Sequence, residues 1–246
     1  MAFKEREETV LEYLRLHREA TVSELCRALF VSEPTIRRDL TRLASAKKII
    51  RTHGGAYYRG VPGENLPQEF REKENSDKKT EIGRKCLSLI NDGDTVMVDA
   101  SSTALPLLHM LGSKGSIVLI TNSTKAPLIL ADTGVKVMLS GGEVATNTYG
   151  LVGGYAEKFI DGFNADICFI SVTNLSLKGE ATDNSIGENL VRRAMLSRSK
   201  KKVLMLDSTK IGEPCISNLC SLDEFDYVVS DKDLSPLFPN SKAKFM

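Results

Sequence analysis

TVSELCRALFVSEPTIRRDLTRLASAKKIIRTHGGA, the stretch from Thr21 to Ala56, decides the reading of this 246-residue chain. Ser23 followed by Leu25, Ala28 and Leu29 predicts a short capped helix with one apolar face. Phe30-Val31-Ser32 breaks that period, and Ser32 is placed to cap a second helix. Glu33 and Pro34 fall in its first turn, where a missing N–H costs nothing and a carboxylate suits the helix dipole. Ile36, Leu40 and Leu43 recur at i, i+4 and i+7, which assigns them to the core. Pro34, Thr35, Arg37, Arg38, Thr41 and Arg42 are left on or near the outer faces. After the helix, Lys47 to Ala56 sets two branched apolar residues among cations and closes on Gly54-Gly55, which predicts a short β-hairpin.

Two helices joined by a tight turn, with a β-wing behind them, make a winged helix-turn-helix. The second helix of such a unit enters the DNA major groove with its N-terminal residues leading. Thr35 and one of Arg37 or Arg38 are the candidates for base edges, because an arginine fork matches guanine O6 and N7. The two arginines stand about 100° apart on the helix, so one of them is expected on a phosphate. With the wing, the candidate DNA-binding set is Ser32, Pro34, Thr35, Arg37, Arg38, Arg42, Arg51 and His53. An ordinary surface helix with solvated arginines is the alternative, but cap, turn, helix and wing occur together. VSEPTIRRDLTRL followed by RTHGGA resembles the DNA-binding signature of the DeoR family of bacterial transcriptional regulators.

Composition bounds the remainder. Hydrophobic residues make up 41% of the chain and charged residues 26%, an ordinary globular balance with room for one small and one mid-sized domain. No apolar run approaches the length of a membrane span, and MAFKEREETV lacks the apolar core of a signal peptide, so a cytoplasmic location is expected. Residues 1–60 hold 12 Lys plus Arg against 8 Asp plus Glu, and the remainder 21 against 24. A basic front on a mildly acidic body fits a DNA-binding head. The five cysteines form no CxxC pair and the three histidines are scattered, so no metal site and no cofactor is expected.

Before the motif, Val10, Leu11 and Leu14 mark a further helix over Phe3–Arg18. Residues 1–57 are thus read as the DNA-binding domain. Residues 58–75 read as a linker, with Gly60, Pro62, Gly63 and Pro67 against regular structure until a helix at its end. Residues 76–246 alternate helices with short apolar strands. TVMV ends at Asp99-Ala100-Ser101-Ser102-Thr103, IVLI at Thr121-Asn122-Ser123, VKVML at Ser140-Gly141-Gly142, ICFISV at Thr173-Asn174, and KVLML at Asp207-Ser208-Thr209-Lys210. DYVVSD reads as a last strand. The fold class is α/β, with a mainly parallel sheet covered by helices on both faces.

In such sheets ligands bind off the carboxyl ends of the strands, where this chain concentrates hydroxyls, amides, glycines and one lysine. Ser101 to Thr103 suits an anion, Gly141-Gly142 a close backbone approach, Lys210 a point charge, and Asp99 acceptance from sugar hydroxyls. VDASST, ITNS, LSGG, the Asp166–Val172 strand and LDSTK also resemble the effector domain of DeoR-type regulators, which is similar to sugar-phosphate isomerases. That resemblance implies a phosphorylated sugar bound by Asp99, Ser101, Ser102, Thr103, Asn122, Gly141, Gly142 and Lys210. The chain departs from the family's Asp-x-Gly-Thr-Thr by placing Ser101 where glycine is usual. Glu188 and Arg192 in DNSIGENLVRR are further candidates.

The expectation is a non-enzymatic repressor on double-stranded DNA, tuned by a phosphorylated sugar and acting as a homo-oligomer, with no membrane partner. Two alternatives stay open: an isomerase with an appended head, for which Asp99, Asp183 and Glu188 are the available acids, and a DNA-binding protein whose body only oligomerises.

Overall fold

The computed structural model describes residues 3–46, 48–60 and 66–246. Lys47 of the wing and Pro62 and Gly63 of the linker lie outside the described residues. The chain divides into two compact units, Met1–Glu64 and Asn65–Met246.

The smaller unit runs α1 (Phe3–His17), β1 (Glu19–Thr21), α2 (Val22–Leu29), α3 (Glu33–Ser45), β2 (Ile49–Arg51) and β3 (Gly55–Tyr58). Val10, Leu14, Leu25, Ile36, Leu40, Leu43 and Ile49 close one core, as their helical spacing requires. The wing has three strands, not two, because β1 pairs antiparallel with β3 opposite β2. Gly55 permits that pairing: a Cβ there would lie 2.0 Å from the Ala20 carbonyl oxygen.

Two expected caps are corrected. The cap of α2 is Thr21 rather than Ser23: its Oγ1 accepts from the Glu24 N–H, and the Glu24 carboxylate accepts from the Thr21 N–H at 2.7 Å. That reciprocal box needs the acid three residues on, which Ser23 lacks. Val22 and Leu25 are buried while Ala28 is exposed. Ser32 holds the cap position of α3 but its hydroxyl lies against Thr35 Oγ1 (3.0 Å) and makes no cap bond. Asp39 of α3 is buried and accepts from Arg6 Nη2 of α1 at 3.1 Å, with Arg6 Nε also in contact, which pins the first helix to the third.

The larger unit opens with α4 (Gln68–Lys73) and α5 (Ser76–Leu87), then β4 (Thr95–Val98), α6 (Leu105–Leu111), β5 (Val118–Thr121), α7 (Ala126–Leu130) and β6 (Lys136–Leu139). There follow β7 (Glu143–Val144), β8 (Leu151–Val152), α8 (Gly154–Asp161), β9 (Ala165–Ile170), β10 (Asn174–Leu175), β11 (Glu180–Asp183), α9 (Ile186–Ser197), β12 (Ser199–Met205), β13 (Ser217–Ser221), β14 (Tyr227–Val229) and β15 (Lys244–Phe245). The 58–75 stretch is therefore not a linker throughout. β3 runs into its start, and α4 packs into the body through the buried Gln68 amide, which donates to the Ala100 carbonyl (3.0 Å) and accepts from the Tyr149 N–H (2.8 Å).

Seven parallel strands form the main sheet in the order β15-β14-β12-β9-β4-β5-β6. DYVVSD supplies β14, but β15 lies beyond it; two residues carry no readable alternation. Val96 and Val98 join one core with residues of α5, α6 and α7, and Met97 joins the other with residues of α8 and α9. Strands buried on both faces must be apolar throughout, which is why they read as unbroken runs. β10, β11 and β13 form a small antiparallel sheet, and β7 pairs with β8. Strand order reverses between β4 and β9, and the crevice off their carboxyl ends is where such a sheet can receive a ligand. Among the described residues no helix is long and apolar enough to cross a membrane.

Candidate functional site

In the smaller unit α3 presents Ser32, Pro34, Arg37, Arg38 and Arg42 as exposed residues, with Thr35 half-buried. Arg37 Nε donates to Glu33 Oε1 one turn back at 2.8 Å. An exposed pair of this kind is worth only about 0.3–0.5 kcal/mol, so a phosphate or a base can take the guanidinium. Arg51 Nη1 reaches the Arg37 carbonyl at 3.5 Å, linking wing to helix, and His53 is exposed in the turn between β2 and β3.

At the switch point of the sheet, β4 runs into Asp99 and β9 into Ser171. Asp99 Oδ1 accepts from the Ser101 N–H (3.1 Å), and Oδ2 from the Ser171 N–H (3.2 Å) and Arg192 Nε (2.9 Å). Asp99 thereby stitches β4, β9 and α9 together. Arg192 also donates to Asp183 (3.0 Å) and lies 3.6 Å from Glu188 Oε1. Burial alone would lower the guanidinium's pKa, but Asp183, Glu188 and Asp99 together hold it above its ordinary value. For Glu188 burial outweighs Arg192 and raises the carboxyl.

Ser101, Ser102 and Thr103 form a buried turn ahead of α6. Ser101 Oγ accepts from the Ala104 N–H (3.2 Å), so this side chain is folded into the turn. Lys79 of α5 donates to Ser102 Oγ (3.3 Å) and to the Arg71 carbonyl. Lys210, in the 3-10 turn Ser208–Lys210, donates to Thr103 Oγ1 (3.0 Å), Ser171 Oγ (2.9 Å) and the Val172 carbonyl (2.9 Å). Burial pushes its ammonium down to about 8 and lowers Lys79 as well. Arg71 of α4 donates to the Leu66 and Asn147 carbonyls, is lowered by burial, and feels Glu188, Asp183 and Asp99.

Arg71 and Lys79 escaped the sequence reading. They sit in REKENSDKK, a charged run with no feature that separates it from a solvated helix face. Elsewhere, Asn122 follows β5 and donates to the Leu151 carbonyl of β8 (3.0 Å). Gly141 is open and exposed, while Gly142 (φ +127°) has its missing Cβ position 2.4 Å from the Val152 carbonyl oxygen. Its bareness serves the approach of β8. The expected pocket residues thus fall into two groups, Asp99 to Thr103 with Lys210, and Asn122 with Gly142 beside β8. Among the described residues no three His, Cys, Asp or Glu side chains gather as a metal site; three carboxylates converge on a guanidinium instead.

Residues 6–59 match the family model of the DeoR-like helix-turn-helix domain, and residues 74–232 that of the DeoR C terminal sensor domain. The chain belongs to the DeoR family. Across the family it is similar to the HTH-type transcriptional regulator GolR of Listeria innocua, 31% identical over 94% of this chain and 91% of that protein. It is also 31% identical to the HTH-type transcriptional repressor GlcR of Bacillus subtilis, over 93% and 88% of the two chains. The glycerol-3-phosphate regulon repressor of Escherichia coli is 27% identical over 92% and 90%. Among solved structures, ribose 5-phosphate isomerase A of Methanocaldococcus jannaschii is a distant likeness, with a TM-score of 0.43, 15% identity and 56% of each chain covered. A DeoR-family chain with this head is a DNA-binding transcriptional regulator, with an operator duplex as its partner.

Proposed function

We propose that this DeoR-family regulator is a repressor whose hold on DNA is tuned by a phosphorylated sugar bound off the carboxyl ends of β4 and β9. In this reading residues 1–57 are the DNA-binding domain, and the effector domain, 76–246, extends back over α4. One observation supports the effector half most directly: Lys79 and Lys210 reach the adjacent hydroxyls of Ser102 and Thr103 from different elements. A phosphate entering there gives both ammonium groups a charged acceptor in place of neutral hydroxyls, a stronger hydrogen bond in a buried setting. The Ser101 departure fits as well, since that hydroxyl is occupied in capping Ala104. In the head, Thr35 with Arg37 or Arg38 reads base edges, while Ser32, Pro34, Arg42, Arg51 and His53 line the helix and wing that face the duplex.

Regulation requires that ligand favour one of two states differing in DNA affinity, because equal affinity for both shifts nothing. A homo-oligomer fits this scheme, since paired heads on repeated half-sites gain affinity and specificity. An isomerase is disfavoured: Asp99, Asp183 and Glu188 all face Arg192, so no separate acid and base pair is presented to a substrate. The deciding experiment is a thermal-shift screen with ribose 5-phosphate, fructose 6-phosphate, glucosamine 6-phosphate and glycerol 3-phosphate, each hit then titrated against operator binding. A true effector at a hundred times its Kd adds about 2.7 kcal/mol of stability and changes DNA affinity. A panel that moves neither quantity removes the effector reading, and measurable turnover of any member revives the enzyme.

A further inference from the structure

Among the described residues of the body, three buried side-chain atoms have no hydrogen-bond partner: Asn122 Oδ1, Ser140 Oγ and Glu188 Oε2. They come from three elements, the ends of β5 and β6 and the first turn of α9. Burial without a partner is costly for each such atom, and folded proteins keep few of them without a reason.

The segments that carry them all meet the same two-residue strand, β8. Asn122 exchanges bonds with Leu151 of β8, its Nδ2 donating to the Leu151 carbonyl and its own carbonyl accepting from the Leu151 N–H at 2.8 Å. The amide orientation is thereby set, with Oδ1 as the remaining acceptor. Gly142, two residues beyond Ser140, lies against the Val152 carbonyl of β8. Gly187, adjacent to Glu188, packs on the Val152 side chain, its missing Cβ position 3.3 Å from Val152 Cβ. Glu188 Oε1 faces Arg192, whose Nε holds Asp99, so this group adjoins the Ser101–Thr103 turn through one guanidinium.

We infer that Asn122, Ser140 and Glu188 form a donor-reading rim of the effector site, selecting a ligand that carries several hydroxyls or an ammonium group over a compact phosphate or carboxylate. The inference rests on the reading that the body binds a phosphorylated sugar. Asn122 Oδ1 accepts only, Glu188 Oε2 accepts when its carboxyl is ionised, and Ser140 can accept too. A polyhydroxy or amino sugar supplies the donors they lack, whereas inorganic phosphate brings mainly acceptors and meets the negative field of Glu188. The phosphate-side lysines supply the grip, and the rim supplies the choice among sugars.

The test is calorimetric titration of the full chain and of Glu188→Gln and Ser140→Ala with ribose 5-phosphate, fructose 6-phosphate, glucosamine 6-phosphate and inorganic phosphate, with a melting curve of each free protein. For the best-bound sugar phosphate, the ratio of its affinity to that of inorganic phosphate is expected to fall at least tenfold in both variants, the scale of discrimination set by one lost buried hydrogen bond. Free Ser140→Ala is expected to melt no lower than the parent, because it removes an unsatisfied group. Unchanged ratios overturn the rim while leaving the effector site standing. A lower melting point for Ser140→Ala with an unchanged ratio does the same and makes the hydroxyl a structural one. A parent chain that binds none of the three sugar phosphates overturns the rim together with the effector reading.

Discussion

Arg37 of the head and Arg192 of the body are the same residue put to opposite uses. The Arg37 side chain is 52% exposed and bonded to a neighbour that is itself exposed; that of Arg192 is 4% exposed and faces three carboxylates. An exposed guanidinium stays hydrated and can exchange its partner for a phosphate or a guanine edge with little loss. A buried one must be satisfied within the fold, so its geometry is fixed before any ligand arrives. The exposed arginines of α3 therefore stay available to an extended polyanion. The body spends its own on holding a small polar crevice in shape.

That contrast breaks first at Arg192. Arg192→Leu leaves Asp99, Asp183 and Glu188 buried without their counter-charge and is expected to cost about 3–5 kcal/mol, read as a lower urea midpoint for the body. A loss below 1 kcal/mol makes the guanidinium an ornament of the crevice. Arg37→Ala and Arg38→Ala should leave stability within about 0.5 kcal/mol while one of them loses about 1–3 kcal/mol of base discrimination. Should both variants footprint an operator like the parent, α3 is not the reading helix. Thr21→Ala removes the box at the start of α2 and should lower the stability of the head by about 1 kcal/mol, with Ser23→Ala close to neutral in the same melt.

A further effect is one of pH. Folded Lys210 sits at about 8 against an ordinary 10.5, so between those values the unfolded chain binds the proton that the folded chain has released. Stability attributable to Lys210 therefore rises as pH climbs from about 8 to 10.5 and is flat below that window. Lys210→Met should flatten this part of the stability–pH curve. An identical slope in the parent and the variant places the ammonium in water.

The head was legible because its evidence is local. Ile36, Leu40 and Leu43 repeat at helical spacing, and Glu33 with Pro34 marks a helix start. Apart from β1, its misreadings concern partners: Thr21 outcompetes Ser23 through Glu24, and Arg6 finds Asp39 across a separation that no pattern records. In the body the strand ends were legible as runs of hydroxyl, amide and glycine after apolar tetrads. Lys210 was visible as the lone cation at such an end. Arg71 and Lys79 were not, because burial of a charge depends on which helix lands on which strand end, and the sequence around them is solvent-like. β1 and β15, at three and two residues, are too short for alternation to show.

Gln68 ties the body's first helix to Ala100, the residue immediately before the hydroxyl turn, and to Tyr149, through two hydrogen bonds made by one buried amide. A displacement of Ala100 must drag that amide along or leave polar atoms stranded in the interior. The body's first helix is thus moored at the crevice itself, and a shift of the hydroxyl turn is felt along α4.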